Sequence, residues 1–282
     1  MIPATFEYEV AESVEHAVEL LGSYDDAKLL AGGHSLLPLM RLRLARPAAL
    51  VDLGRVSELA YVRDAGEQLA IGALTRHHDL QRHPLVQEHC PLVSHTAGLI
   101  GDPQVRHRGT IGGSVAHGDP ASDLPTVLLA LDADIVVRGS DGERTIGAVD
   151  FFRGFLETAL GPRDVLCEIR VPKLHGEVGW SYVKFTRRAQ DWATVGAAAI
   201  VRRRNGTIDE GAVALTNMGP TPLRARAVEQ ALAGASADAV ASAAEAAAEG
   251  TSPPSDPNGS AEYRRHLARV LVRRALEEAL TR

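Results

Sequence analysis

Two glycine pairs are the residues whose types and spacing most directly indicate a chemistry. The first lies in Ala31-Gly32-Gly33-His34-Ser35 and the second in Thr110-Ile111-Gly112-Gly113-Ser114. Glycine tolerates positive φ and lets the backbone approach a ligand closely, and free N–H groups before a helix bind phosphate. Two such turns could hold a diphosphate from both sides. Neither segment has the G-x-G-x-x-G or G-x-x-x-x-G-K-S/T spacing, so the usual Rossmann and P-loop sites are not favoured.

The other reactive side chains favour no second kind of active site. Cys90 and Cys167 form no C-x-x-C motif, so the chain alone predicts neither a disulfide framework nor a four-thiolate cluster. The histidines at 78, 83, 89 and 95 share no helical face, which argues against a metal site. A G-x-S-x-G motif is absent from the sequence, so a hydrolase is not favoured. Any iron–sulfur cluster is therefore expected in a partner.

The elements around the first glycine pair form a predicted strand, turn and helix. Residues 13–21 predict a helix capped by Ser13, and residues 28–31 predict the strand that enters the turn. The helix after the turn is expected to bury three apolar residues at helical spacing, namely Leu36, Met40 and Leu44. Further strands are predicted at 49–53, 59–63 and 68–72. The first small α+β lobe is expected to end near Arg55.

The second glycine pair is predicted to lie in a loop-rich stretch, residues 101–118, between two helices. The preceding helix is expected over 85–99 and the following one from Ser122. Strands are predicted at 134–138, 144–149 and 164–171. They would complete a second lobe.

The C-terminal third predicts an antiparallel sheet covered by helices. Its strands are expected at 180–187, 194–204 and 207–217, the last two joined through Asn205-Gly206. The alanine-rich residues 225–249 predict two small helices, and Ser260 caps a final one. That helix is expected to place an apolar stripe opposite an arginine face: Tyr263, Leu267, Val270, Leu271 and Ala275 against Arg264, Arg265, Arg269, Arg273 and Arg274.

Composition indicates a folded globular protein with no global attraction to polyanions. The chain has 282 residues, 45% of them hydrophobic, and a net charge of −6. This balance favours neither nucleic acid nor an anionic membrane as a partner. Since the N-terminus shows no signal-like pattern and no run of about 18 apolar residues occurs, we expect a cytoplasmic protein with at most peripheral association at the inner membrane face.

Four segments resemble one protein family. They are Ala31–Pro38, Asp102–Gly113, Ala116–Pro125 and Arg188–Ala193. Together they closely resemble the FAD-binding medium subunits of molybdenum hydroxylases, with the medium chains of aerobic carbon monoxide dehydrogenases most similar and xanthine dehydrogenase flavin domains more distant. The resemblance covers essentially the whole chain.

The resemblance implies an α+β fold with a two-lobed FAD-binding domain of the vanillyl-alcohol oxidase type. A small C-terminal α+β domain with an antiparallel sheet would follow. The expected divisions are residues 1–55 for the first lobe, 56–173 for the second and 174–282 for the C-terminal domain.

The resemblance also implies the FAD contacts. Residues 31–35 and 110–114 would bind the diphosphate and its surroundings, and further contacts would come from Ile100, His117, Asp123, Leu166, Lys184 and Trp192. Asp123 suits an acceptor for ribityl hydroxyls, and Lys184 suits a positive charge beside a reduced ring. Without the family, Asp123 could equally be a helix cap and Lys184 a surface residue. Trp192 could cover the isoalloxazine or anchor a core or an interface.

The function implied is an FAD-binding electron-transfer subunit of a molybdenum hydroxylase of carbon monoxide dehydrogenase type. A small partner would carry two [2Fe-2S] clusters and a large partner the molybdenum cofactor, in a dimer of heterotrimers that passes electrons to a quinone or another acceptor. The alternatives are the flavin subunit of a xanthine, aldehyde or N-heterocycle dehydrogenase, or a non-catalytic scaffold that has lost FAD.

Overall fold

A small parallel sheet forms the first lobe of this computed structural model, which describes residues 2–282. Its elements are β1 (Glu7–Val10), α1 (Val14–Gly22), β2 (Ala27–Leu30), α2 (Leu36–Arg41) and β3 (Ala49–Asp52). The strand order is β1-β3-β2, and both pairings are parallel. Ser13 caps α1 by accepting a hydrogen bond from the His16 N–H, as predicted.

Helix α2 is shorter than the apolar spacing predicts. It ends at Arg41, and Arg43 has a positive φ of 59° that turns the chain back. Met40 is buried as expected, whereas Leu44 lies outside the helix and is 73% exposed. The prediction of Leu44 as a core residue is therefore wrong.

A five-stranded sheet forms the second lobe. Its elements in chain order are β4 (Val62–Ala65), β5 (Gln68–Gly72), α3 (His77–Arg82), α4 (Pro84–His89), α5 (Pro91–Gly98), α6 (Pro103–Arg108), α7 (Ile111–His117), α8 (Asp123–Ala130), β6 (Asp134–Gly139), β7 (Gly142–Gly147), α9 (Ala148–Phe151), β8 (Phe152–Gly154), β9 (Glu157–Thr158) and β10 (Val165–Pro172). The sheet order is β4-β5-β10-β6-β7, with every pairing antiparallel, and β8 pairs with β9 separately.

The helices of this lobe differ from the predicted ones. The helix expected over 85–99 is two helices, because Cys90 is non-helical and Pro91 has no N–H to continue the first. The stretch 101–118, expected to be loop-rich, holds α6 and α7. Asp102 accepts a hydrogen bond from the Val105 N–H and Thr110 one from the Gly113 N–H, so each helix has a side-chain N-cap. Leu59, expected in a strand, ends a 3-10 turn.

The C-terminal part is an antiparallel sheet covered by helices, as predicted. Its elements are β11 (Val178–Phe185), β12 (Val195–Arg204), β13 (Thr207–Thr216), β14 (Leu223–Arg224), α10 (Arg226–Leu232), α11 (Val240–Ala243) and α12 (Ala261–Thr281). The sheet order follows the chain, and Asn205 and Gly206 form the β12–β13 turn with φ of 53° and 82°. The mixed helices and strands confirm the α+β class.

The C-terminal helices agree with the prediction in number but not in the burial of two residues. Residues 225–249 form two helical segments on either side of Gly234, as predicted: α10, and a continuous run of 3-10 and α turns over 237–248. Arg264, expected on an exposed arginine face of α12, is fully buried. Its guanidinium donates two 2.7 Å hydrogen bonds to Asp256 and a third to the Thr194 carbonyl. Tyr263, expected in the buried stripe, is 43% exposed.

The C-terminal sheet is buried on both faces. Val183, Val195 and Val201 pack into a core with α12, while Tyr182 and Ile200 pack into the core of the second lobe. Because side chains alternate along a strand, the residues of β11 that lie two positions from Tyr182 also face the second lobe. In residues 2–282 no helix is long and apolar enough to cross a membrane.

Candidate functional site

A buried ion pair joins the second lobe to the C-terminal sheet. Asp123 is the first residue of α8, and its Oδ2 accepts a 2.8 Å hydrogen bond from Nζ of Lys184 in β11. Their side chains are only 6% and 7% exposed. The ammonium also donates to the Leu99 carbonyl at 3.2 Å. Two of its three N–H donors are thus used within the chain, which leaves one for a ligand.

Tyr182 extends this pair into a buried polar network. Its hydroxyl donates to Asp123 Oδ1 at 2.7 Å and lies 2.9 Å from Oγ1 of Thr216, which in turn donates to Thr126 at 2.8 Å. Burial raises the pKa of Asp123 above its usual value, an effect that the Lys184 ammonium partly offsets. Burial and the neighbouring Asp123 charge hold the pKa of Tyr182 well above its ordinary value. Each Asp123 oxygen retains a lone pair for a further donor such as a ribityl hydroxyl.

The first glycine pair lies between β2 and α2, as predicted. Gly33 has a φ of 76°, which a residue with a Cβ rarely adopts. Within residues 2–282, the N–H groups of Gly33, His34 and Ser35 have no hydrogen-bond acceptor. The Ser35 side chain is exposed and makes no capping bond. The turn therefore presents consecutive free donors of the kind that bind a phosphate group.

The second glycine pair lies in the first turn of α7, and its N–H groups are not free. Ile111 and Gly112 donate to the carbonyls of Thr75 and Ala73 at 3.0 and 2.9 Å. Gly113 donates to Oγ1 of Thr110 at 3.2 Å and Ser114 to the Thr110 carbonyl at 3.1 Å. The expected cradle of free N–H groups at this segment is thus not present. Glycine is required at 112 because a Cβ there would lie 2.5 Å from the Ala73 Cβ.

The two glycine segments meet. A Cβ at Gly32 would lie 2.3 Å from the Arg108 carbonyl oxygen and 2.8 Å from the Gly109 Cα. A Cβ at Gly113 would lie 3.9 Å from the Ala31 Cβ. The first turn therefore packs directly on the backbone that leads into α7, and residues 110–114 form one wall beside it.

The remaining predicted contacts lie at different depths. Ile100 is half-buried beside Leu99, and Leu166 is a core residue of β10. His117, at the end of α7, is half-buried, and burial lowers its pKa. Trp192 is 73% exposed, so it is not a core residue of this chain.

The Trp192 segment is tied to the stretch before Asp123. Asn217 donates from its backbone N–H to the Pro120 carbonyl at 2.8 Å and from its side chain to the Ala193 carbonyl at 2.8 Å. Trp192 is therefore held near the start of β12, the end of β13 and the start of α8, and its ring is exposed to a ligand or a partner.

Two residues of the candidate site were not identified from the sequence. Tyr182 lies two residues before Lys184, so strand alternation could have placed both on the same face. His77 packs beneath the first turn, where its ring approaches Gly109: a Cβ at Gly109 would lie 2.9 Å from His77 Cδ2. Burial lowers the pKa of His77 to about 4. No local signal in the sequence indicates this contact.

Comparison with known proteins gives two family matches and full-length relatives. Residues 4–174 match the family described as FAD binding domain in molybdopterin dehydrogenase, and residues 180–279 match the CO dehydrogenase flavoprotein C-terminal domain. The chain is similar to the carbon monoxide dehydrogenase medium chain of Hydrogenophaga pseudoflava, with 45% identity covering 100% of this chain and 99% of the relative. It is also similar to the 6-hydroxypseudooxynicotine dehydrogenase complex subunit alpha of Paenarthrobacter nicotinovorans, with 41% identity covering 100% and 97%.

A solved structure has the same fold over the whole chain. It is a carbon monoxide dehydrogenase from Hydrogenophaga pseudoflava that lacks the Mo-pyranopterin moiety of the molybdenum cofactor. Its matching chain superimposes with a TM-score of 0.97 at 47% identity, covering 100% of this chain and 99% of the other.

Proposed function

This chain belongs to the FAD-binding medium subunits of the molybdenum hydroxylases, and we propose that it transfers electrons in a complex of the carbon monoxide dehydrogenase type. The observation that carries the proposal is the 45% identity to a carbon monoxide dehydrogenase medium chain over the full length, with both family domains in order. The free N–H groups at Gly33 to Ser35 and the buried Asp123 carboxylate support a retained cofactor site.

FAD, when bound, supplies a carrier that accepts and releases electrons, while the protein supplies binding and electrostatics. Gly33, His34 and Ser35 would donate N–H groups to the diphosphate. Asp123 would accept from ribityl hydroxyls, because each of its oxygens has capacity beyond its present partner. The remaining Lys184 donor would place positive charge at the ring. Asp123 balances most of that charge in the chain itself, so the field at the ring is smaller than that of an isolated lysine.

The proposed FAD site contains every residue expected from the resemblance: Ala31, Gly32, Gly33, His34, Ser35, Ile100, Thr110, Ile111, Gly112, Gly113, Ser114, His117, Asp123, Leu166, Lys184 and Trp192. For 110–114 we propose van der Waals contact at the atoms that remain exposed, since the N–H groups of residues 111–114 are used within the chain. We also propose that residues 1–55 and 56–173 are the two lobes of the FAD domain and 174–282 the C-terminal domain.

The partner subunits are inferred from the family and from the poor cluster-binding capacity of the two cysteines of this chain. Medium chains of this family work with a large and a small subunit, and this chain has two thiols, Cys90 and Cys167, whose pKa values burial raises to about 12 and about 11. Such thiols are poor cluster ligands. We propose that the small subunit carries two [2Fe-2S] clusters and the large subunit the molybdenum cofactor, in a dimer of heterotrimers. The proposed acceptor is a quinone or a similar carrier, and the proposed location is the cytoplasm, with at most peripheral contact at the inner membrane face.

A related hydroxylase is the second candidate. The 41% identity to a subunit of the 6-hydroxypseudooxynicotine dehydrogenase complex favours it specifically. In both candidate complexes this chain is the flavin subunit, and the complexes differ in their large subunit. Activity of the purified complex on carbon monoxide or on N-heterocycles therefore distinguishes the two candidates.

The test of the cofactor site is FAD retention by chain variants. We expect Asp123→Ala to weaken FAD binding by the ~1.5–3 kcal/mol of a charge-assisted hydrogen bond. We expect Gly32→Val/Gly33→Val to lose FAD, because a side chain at 32 drives the turn off the Arg108 backbone. Gly147→Ala is the control, since its Cβ would have only one neighbour, at 4.0 Å. An unchanged FAD dissociation constant in Asp123→Ala would remove that residue from the site.

A further inference from the structure

A glycine in the C-terminal sheet makes room for the Tyr182 hydroxyl. Gly196 lies in β12, between Lys184 of β11 and Thr216 of β13. Its φ is outside the left-handed region, so the backbone conformation does not require glycine there. A Cβ at this position would lie 2.5 Å from Oη of Tyr182 and 2.8 Å from Oγ1 of Thr216. Glycine weakens a strand, and here the missing side chain leaves the space in which the two hydroxyls meet.

The Tyr182 hydroxyl is held on two sides. It donates to Oδ1 of Asp123 at 2.7 Å, and Oγ1 of Thr216 lies 2.9 Å from it. Tyr182, Thr216 and Asp123 are 2%, 0% and 5% exposed, so water does not replace either partner. A buried hydroxyl that leaves its partners loses both hydrogen bonds without gaining others from solvent. The phenol oxygen is therefore fixed against the carboxylate.

Two donors from β11 fix the direction of the Asp123 carboxylate. Tyr182 binds Oδ1, and Nζ of Lys184 binds Oδ2 at 2.8 Å. The Cβ–Cγ bond of an aspartate turns easily by itself, because this torsion has a broad energy minimum. With one donor on each oxygen, a turn breaks both hydrogen bonds. Without the Tyr182 hydroxyl, the carboxylate can turn until both oxygens share the Lys184 ammonium, and its free lone pairs then point elsewhere.

We propose that Tyr182 is a positioning residue for FAD: its hydroxyl holds the Asp123 carboxylate in the direction that accepts the ribityl hydroxyls. Tyr182 acts through Asp123, because its single hydroxyl proton is already donated to Oδ1 and none is left for the cofactor. Gly196 belongs to the same arrangement, since it leaves space for the phenol oxygen. The inference deepens the proposed function and rests on it, because that function supplies the FAD.

A double-mutant cycle on FAD affinity separates positioning from support of the fold. The FAD dissociation constants of the full-length chain, Tyr182→Phe, Asp123→Ala and the double variant are measured by quenching of flavin fluorescence. Tyr182→Phe keeps the ring and should raise the dissociation constant of the wild-type chain by about 10-fold, a typical effect of one hydrogen bond to a charged group. In the Asp123→Ala chain, which has no carboxylate to orient, Tyr182→Phe should change the constant by less than about 2-fold.

Two results of this cycle would overturn the proposal. A residue that only supports the fold, or that contacts FAD itself, would raise the dissociation constant by the same factor in both chains. Equal factors, or an unchanged constant in Tyr182→Phe, therefore contradict a positioning role while the wild-type chain still binds FAD. A wild-type chain that binds no FAD contradicts the proposed function, and this inference falls with it.

Gly196→Ala tests the arrangement without removing a polar group. Its Cβ displaces the phenol oxygen from Asp123, so FAD affinity should fall by a factor similar to that of Tyr182→Phe. Gly211→Ala, in β13 of the same sheet, is the matched control, because its Cβ would press on an apolar side chain, 2.9 Å from Cδ1 of Leu232. This control should bind FAD as the wild-type chain does.

Urea unfolding shows which of the two glycine variants are folded, and the Tyr182 cycle decides alone if Gly196→Ala is not. A folded Gly196→Ala chain with wild-type FAD affinity overturns the proposal. An equal loss of affinity in Gly211→Ala overturns it as well, since any strain in the sheet would then weaken FAD binding.

Discussion

Replacing Lys184 with methionine should destabilise the FAD-free chain by about 3–5 kcal/mol. The substitution keeps the length and apolar stem of the side chain, so it creates little cavity, but it removes the ammonium from Asp123. Both side chains are nearly buried, and solvent screens their 2.8 Å contact only weakly. Breaking a buried pair from one side typically costs about 3–5 kcal/mol, because the other charge stays buried without its partner.

The loss should also depend on pH. Burial already raises the pKa of Asp123, and removing the ammonium raises this pKa further. An acid with a raised folded-state pKa binds its proton more tightly when folded, so the free energy of unfolding falls as the pH rises from the unfolded pKa through the folded one. The deficit of Lys184→Met relative to wild type should therefore be smaller near pH 4 and grow toward pH 8.

Urea unfolding of the two chains at several pH values measures this difference. At about 2–4 °C per kcal/mol, the expected loss also lowers Tm by on the order of 10 °C. The double variant Asp123→Leu/Lys184→Met should recover most of the stability, since it buries no charge. It should not recover FAD binding. A Lys184→Met chain within about 1 kcal/mol of wild type at pH 8, or a double variant no more stable than the single one, would refute the assignment of a buried pair.

Three further predictions concern other parts of the chain. Gly112→Ala should cost about 1–3 kcal/mol of unfolding free energy in a denaturation assay, because its Cβ would lie 2.5 Å from a neighbouring Cβ, whereas Gly147→Ala should be close to neutral. Cys90 and Cys167, with pKa values of about 12 and about 11, should react with a disulfide reagent at pH 8 on the order of 100-fold more slowly in the folded chain than after unfolding, and equal rates would contradict their burial. His77, with a pKa of about 4, binds its proton less tightly when folded than the usual value of 6.5 implies, so stability should fall by up to about 3 kcal/mol as the pH drops from 7 to 4. The loss of stability that is due to His77 should be absent in His77→Phe. An NMR titration of the wild-type chain in which the His77 ring titrates near pH 6.5 would contradict this prediction.

Local signals in the sequence predicted most elements near the site. The strand, glycine turn and helix order of β2 and α2 depends on neighbouring residues and is confirmed, as is the Asn205-Gly206 hairpin. The caps at Asp102 and Thr110 were equally local, and reading them as caps would have predicted α6 and α7 in place of a loop.

Contacts between distant parts of the chain could not be predicted from local patterns in the sequence. Asp123 and Lys184 pair only because the C-terminal sheet packs against α8 of the second lobe, and each was singled out by resemblance alone. The N–H groups of Ile111 and Gly112 are taken by the carbonyls of Thr75 and Ala73, which no local motif indicates. Arg264 is buried because Asp256 and the Thr194 carbonyl reach it across the C-terminal domain.

The most direct measurement is a visible absorption spectrum of the natively purified complex, with the released cofactor identified after denaturation and the co-purifying chains weighed. We predict FAD together with iron–sulfur bands and two partner subunits. A colourless, solitary chain from a flavin-replete preparation would contradict the assignment of this protein as a flavin subunit.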